Sequence, residues 1–146
     1  MRIGKRVLWN EAFGERVVFR RTASDTDGEL VECELELSKE GAGPGDHVHP
    51  RQEERFRVLS GLLMVRIDGE ELVLEPGDEA GVPPGTPHGW RKVGAGVTTV
   101  RVEMRPALRF EEALEEVFRM QDADAWADPE AVAAFTDRFR DDFRLL

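Results

Sequence analysis

The sequence predicts an all-β-dominated protein, a sandwich or barrel of short strands, followed by two C-terminal α-helices. Three observations carry this reading. From Arg16 to about Met104 apolar and polar residues alternate in short runs, the period-two signature of half-buried strands. Gly, Pro and Asp turns separate the runs, as between the strands of a β-sandwich or barrel. After Pro106 the apolar period becomes that of a helix. The 146 residues suit one core. They divide into a β-barrel domain with N-terminal strands at 1–106 and a helical extension at 107–146, packed on the barrel or on a partner subunit.

The elements follow in order. Val17–Thr22 and Glu29–Ser38 read as strands. In the second, Val31, Cys33, Leu35 and Leu37 share one face. Cys33 is the single cysteine, so no internal disulfide is possible, and its place among inward residues makes it a small buried hydrophobe. Gly41–Gly45 is a loop; it opens no helix and precedes no lysine, so it is not a phosphate cradle. Glu54–Leu59 and Leu62–Asp68 are the next strands. Asp68-Gly69 then makes a two-residue hairpin into Glu71–Leu74, because such turns need positive φ. Pro76-Gly77-Asp78 turns the chain into Glu79–Val82, and Trp90–Val93 and Val97–Met104 complete the set. Alternation points Phe56, Val58, Leu63, Val65, Ile67, Val100, Val102 and Met104 inward. It leaves Leu59, Leu62 and Met64 on the outer face, in need of cover.

In the C-terminal part Phe110, Ala113, Leu114, Val117 and Phe118 recur at helical spacing. Glu111, Glu112, Glu115 and Glu116 form the solvated face. Asp128-Pro129-Glu130 is a helix start, a capping carboxylate followed by a proline whose missing N–H costs nothing. Val132, Phe135, Phe139 and Phe143 continue that second helix.

The net charge of −10 speaks against nucleic acid and anionic membrane as partners. No apolar run reaches the length of a membrane span, and Met1–Arg6 leads into no secretory leader. Cytoplasmic residence is the expectation.

Of three histidines, two stand one residue apart in GDHVHPRQEERFRVLSG (residues 45–61), and the third, His88, follows Pro83-Pro84-Gly85-Thr86-Pro87. On a strand His47 and His49 face the same way. Glu54 opens the next strand on the face of Phe56 and Val58, while Glu53 points to the other. Converging imidazoles with a carboxylate suit a divalent transition metal.

These segments resemble the paired motifs of the cupin superfamily, G-x5-H-x-H-x4-E-x6-G and G-x5-P-x-G-x2-H-x3-N. The first is Gly41, His47, His49, Glu54 and Gly61. The second is Gly77, Pro83, Gly85 and His88, with Lys92 in place of the asparagine. The resemblance implies a double-stranded β-helix, or jelly-roll barrel, with a metal near one end held by His47, His49, Glu54 and His88. The asparagine is not a ligand in that pattern, so Lys92 leaves the metal expectation intact. Trp90 shares the face of His88 and is a pocket wall or a core aromatic. Phe56 and Met104 line the same pocket more deeply, or belong to the core. The resemblance also implies a homodimer.

Three imidazoles and one carboxylate leave about two positions of an octahedral ion open. The nitrogen-rich set favours Mn, Fe, Ni, Co or Zn over Ca or Mg. The expected partner is a small-molecule substrate or ligand. Two function classes follow. One is a metal-dependent enzyme of dioxygenase or isomerase type. The other is a non-enzymatic binding or sensing module. An interior packed solid beside the histidines would speak instead for a purely structural role.

Overall fold

The computed structural model describes residues 2–3 and 7–146, with side chains from Val7 onward; most of the Met1–Arg6 run lies outside this description. In chain order the strands are β1 (Arg2–Ile3), β2 (Val7–Asn10), β3 (Glu15–Arg21), β4 (Val31–Leu37), β5 (His47–Val48), β6 (Glu53–Ser60), β7 (Leu62–Ile67), β8 (Glu70–Leu74), β9 (Glu79–Val82), β10 (His88–Val93) and β11 (Thr98–Arg105). Helices α1 (Phe110–Asp122) and α2 (Pro129–Arg138) and a short strand β12 (Arg144–Leu145) follow. Among the described residues two antiparallel sheets face each other, in the orders β1-β2-β3-β4-β11-β6-β9 and β12-β5-β10-β7-β8. This is the jelly-roll arrangement, in which two sheets bury their inner faces against one another.

The alternation holds. Strand β4 has every second residue buried from Val31 to Leu37, and β11 does the same from Thr98 to Met104. The facing side chains Phe56, Val58, Leu63, Val65, Val100 and Val102 are all at most 2% exposed; Ile67 packs on this core while partly open. Asp68 and Gly69 both have positive φ, 50° and 84°, as the hairpin turn requires. Gly61, between β6 and β7, has φ 74°, and a Cβ there would lie 2.5 Å from Thr98 Oγ1. No other residue closes that corner without strain. On the outer face Met64 is buried and Leu59 and Leu62 are half-buried.

Three sequence expectations are corrected in the helical extension and the N-terminal region. The second helix starts as predicted, with Asp128 Oδ1 accepting from Glu130 N at 3.0 Å, but it ends at Arg138. Phe143 therefore lies beyond it, on a tail that adds β12 to β5, with Leu145 opposite His47. Glu111 is not merely solvated: its Oε2 accepts from Ala23 N at 2.7 Å, tying α1 to the loop after β3. Strand β3 starts at Glu15, two residues earlier than the sequence suggested. Helix α1 buries Phe118 in the barrel core with Phe110, Leu114 and Val117 packed beside it. Its other side shares a second cluster with Phe135 and Phe139 of the α2 region. The helices thus cover the end of the barrel where the histidines lie.

Candidate metal centre

The site is assembled from both sheets. His47 on β5 pairs directly with His88 on β10, and His49 follows β5 by one residue. Glu54 comes from β6 in the opposite sheet, in phase with buried Phe56 and Val58. All four are buried, and one ligand atom from each lies within 4.8 Å of the others. The imidazole centroids are 4.4 to 5.2 Å apart. The i, i+2 spacing, the strand pairing and the Glu54 phase together produce the convergence that the sequence implied.

Each ring is oriented from behind. His47 Nδ1 lies 2.8 Å from Gly45 O, His88 Nδ1 2.8 Å from Thr86 O and His49 Nδ1 2.7 Å from Asp142 O. A carbonyl only accepts, so each Nδ1 carries the proton and donates it, which turns Nε2 toward the centre. Imidazoles held this way are the usual outer support of a metal ligand. Two of the carbonyls sit two residues before their histidine, in the turns leading into β5 and β10. The third comes from the far end of the chain.

The electrostatics fit a cation. His88 Nε2 donates to Glu54 Oε1 at 2.8 Å, and His49 Nε2 is 3.5 Å from the same oxygen. Burial opposes charge on Glu54, but these imidazoles outweigh it and hold the carboxyl well below the usual range. Burial also pushes His88 down, yet the hydrogen bond and charge of Glu54 leave its pKa raised. His47, dehydrated and beside His49, is lowered to about 4. A buried carboxylate surrounded by three imidazoles favours a positive partner.

Neighbouring residues fix the turns. Arg66 clamps Asp46, the residue before His47, with Nε and Nη2 at 2.9 and 2.7 Å from Oδ1. Gly43 lets the preceding loop lie on β10: a Cβ there would be 2.2 Å from Trp90 O. Buried Gln52 donates to Pro106 O and Ala107 O at 3.0 and 2.9 Å, joining the approach to Glu54 to the start of the helical extension.

Beside the ligands lies a cavity of about 180 Å³. Trp90 lines it. Phe56 and Met104 do not; they are 1% and 0% exposed in the core, with Phe56 edge-on to Trp90 at 6.4 Å. Alternation gives a side chain's face but not its depth. Lys92 is buried on the face of His88 and Trp90, donates to Gly94 O and lies 3.9 Å from Glu40. Cys33 also borders the cavity, and burial raises its thiol pKa far into the unreactive range.

Sequence reasoning missed two contributors. Phe143 stacks on His47 at 4.7 Å and 18° and stands edge-on to His49 at 5.4 Å. Its place in the Phe135, Phe139, Phe143 series hid it. Asp142, 4% exposed, accepts from Arg109 N at 2.9 Å through Oδ1 while its carbonyl holds His49. Nothing in its local sequence marks it.

Residues 34–102 match the cupin domain family. The chain is 37% identical to quercetin 2,3-dioxygenase of Bacillus subtilis over 84 residues, which cover 53% of this chain and 25% of that protein. It thus spans about a quarter of the length of this curated relative. Among solved structures it resembles a predicted oxalate decarboxylase from Thermotoga maritima (TM-score 0.60, 15% identity, 63% of this chain and 80% of that one). It also resembles an RmlC-like cupin from Shewanella frigidimarina (TM-score 0.57, 23% identity, 73% of this chain and 90% of that one). At these identities the two structures speak for the fold. Barrel, paired motifs and family match coincide on the same strands: residues 34–102 form a cupin domain.

Proposed function

We propose that the protein is a metal-dependent enzyme of dioxygenase or isomerase type acting on a small organic molecule. His47, His49, Glu54 and His88 hold one divalent transition metal, from among Mn, Fe, Ni, Co and Zn. The observation that carries the reading is the convergence of three carbonyl-oriented imidazoles and one buried carboxylate beside a cavity. Three nitrogen donors and one oxygen donor match these metals better than Ca or Mg. A metal so bound supplies Lewis acidity toward a substrate oxygen and, for a redox-active ion, oxygen chemistry. The similarity to quercetin 2,3-dioxygenase supports the oxygenase branch.

The chain's own residues do the rest. The carbonyls of Gly45, Thr86 and Asp142 fix the ring planes, so little reorganisation accompanies binding. Phe110, Phe143 and Trp90 shed water from the cavity wall, which strengthens each electrostatic contact inside. His88 Nε2 and Glu54 Oε1 lie 2.8 Å apart, and the two groups turn toward the same point, where both would coordinate the ion.

A second reading, a binding or sensing module without turnover, is favoured by the tail. Phe143 lies on His47 and β12 closes the outer edge of β5, so one approach to the ligands is shut. The apolar Leu72 and Val73, 48% and 56% exposed on edge strand β8, support a homodimer, which sedimentation would test.

Elemental analysis of protein as isolated, beside the His47→Ala/His49→Ala variant, tests the metal. Near-stoichiometric metal in the parent alone is expected. No metal in either after supplementation would refute the reading. If metal is bound, oxygen uptake with candidate substrates separates the enzyme from the sensor.

A further inference from the structure

The cavity beside the ligands carries information about its occupant. Its volume is about 180 Å³, below the ~300–1,000 Å³ of sites for drug-sized ligands and near the ~150 Å³ of a cavity that takes benzene. That is room for one ring. The wall is mostly aliphatic and aromatic, and no lysine or arginine among the described residues lines it. Apart from the ligand set, the ionisable oxygen at the wall is Glu15. It opens β3 on the face of Val17 and Phe19 and stands opposite buried Leu37, so it is turned inward. Among the described residues its carboxyl has no hydrogen bond or ion pair. An inward carboxyl without a partner is uncommon, because its dehydration is uncompensated.

We propose that the cavity takes an uncharged, hydroxyl-bearing molecule of about one ring, with Glu15 as the hydrogen-bond partner of a hydroxyl. This rests on the metal reading only in placing a second polar group of the molecule at the histidines. An anionic substrate such as a dicarboxylate would meet Glu15 and Glu54 with no cationic side chain in the wall. A fused two-ring molecule would have to fill nearly all of that volume at native packing density. Burial pushes the Glu15 carboxyl up to about 7, so near neutral pH it both donates to and accepts from a hydroxyl. Glu15 is a positioning residue for the ligand.

The test is calorimetric titration of phenol, 2-naphthol and oxalate into metal-free and Co(II)-loaded protein, with Glu15→Leu and Glu15→Gln beside the parent. Phenol should bind in both forms, and in the metal-free form more tightly than 2-naphthol or oxalate. Glu15→Leu should weaken phenol about 3- to 10-fold, the range of one hydrogen bond, and Glu15→Gln should restore most of it. The Co(II) spectrum should be the same in all three proteins. Absence of phenol binding in both forms, tighter binding of oxalate or naphthol to the metal-free protein, or indifference of phenol to Glu15→Leu would overturn the proposal. Failure to take up Co(II), with phenol binding and its Glu15 dependence intact, would overturn the metal reading and leave this one standing.

Discussion

Replacing Phe143 by alanine separates support of the metal ligands from ordinary packing. The ring stacks on His47 at 4.7 Å, meets His49 edge-on at 5.4 Å and Phe135 at 5.6 Å. Truncating a fully buried Phe costs about 3–5 kcal/mol. Phe143 is half-buried, so about 2 kcal/mol is expected, a fall in Tm of roughly 4–8 °C for a chain of this size. Contacts between aromatic rings contribute about 0.5–1.5 kcal/mol each. Release of the His47 ring should therefore weaken metal binding roughly 2- to 10-fold. The comparison is Phe135→Ala, which removes a buried ring of the same cluster that touches no histidine ligand in the ring contacts described. Melting curves in chelator and competitive Zn(II) titration should show both variants destabilised, but only Phe143→Ala weakened for metal. Equal metal affinity in the parent and Phe143→Ala would refute the reasoning, as would an equal loss in both variants.

Metal binding should release protons, because the ion takes the His88 Nε2 that faces Glu54; calorimetry in buffers of different ionisation enthalpy measures this, and no buffer dependence would count against the pair. Glu15 has its folded pKa raised, from 4.5 to about 7, so its neutral form is favoured in the folded state. The stability this gives is full below pH 4.5 and is lost as pH rises through about 7. At about 1.4 kcal/mol per pH unit the ceiling is ~3 kcal/mol, and solvent access leaves about 1–2 kcal/mol. Glu15→Gln should flatten that decline in denaturant titrations between pH 4.5 and 8, and an unchanged slope would sink the argument. Gly43→Ala should be among the most damaging surface-loop changes, at least about 3 kcal/mol, since its Cβ would meet Trp90 O at 2.2 Å with φ at 143°; a loss of stability under about 1 kcal/mol would show that the loop yields.

The convergence of the four candidate ligands was legible because its geometry is local. His47 and His49 need only a strand to point together, and Glu54 and His88 need only the alternation of β6 and β10. Spacing in the sequence encodes both facts directly. The cover was not legible. Phe143 keeps a four-residue period with Phe135 and Phe139, but the helix stops at Arg138, and a tertiary contact with His47 decides the position of the ring. The hydrogen bond from His49 to Asp142 O spans 93 residues, and a backbone carbonyl has no side-chain signature. Glu15 was within reach. It lies in phase with Val17 and Phe19, and extending the alternation back by two residues would have placed a carboxyl on the inner face. Phe56 and Met104 show the limit of that rule, being inward but too deep to reach the cavity.

The bond from His49 to the carbonyl of Asp142 has a consequence for the order of assembly. All four candidate ligands lie between residues 47 and 88, so a growing chain has them long before it has residues 142–145. Until that tail docks on β5, His49 lacks its partner and His47 its stacked ring. The nascent barrel should therefore hold metal loosely and exchange it readily. Tight retention would mark completion of the C-terminal fold, making metal capture a late check on whether the whole chain has come together.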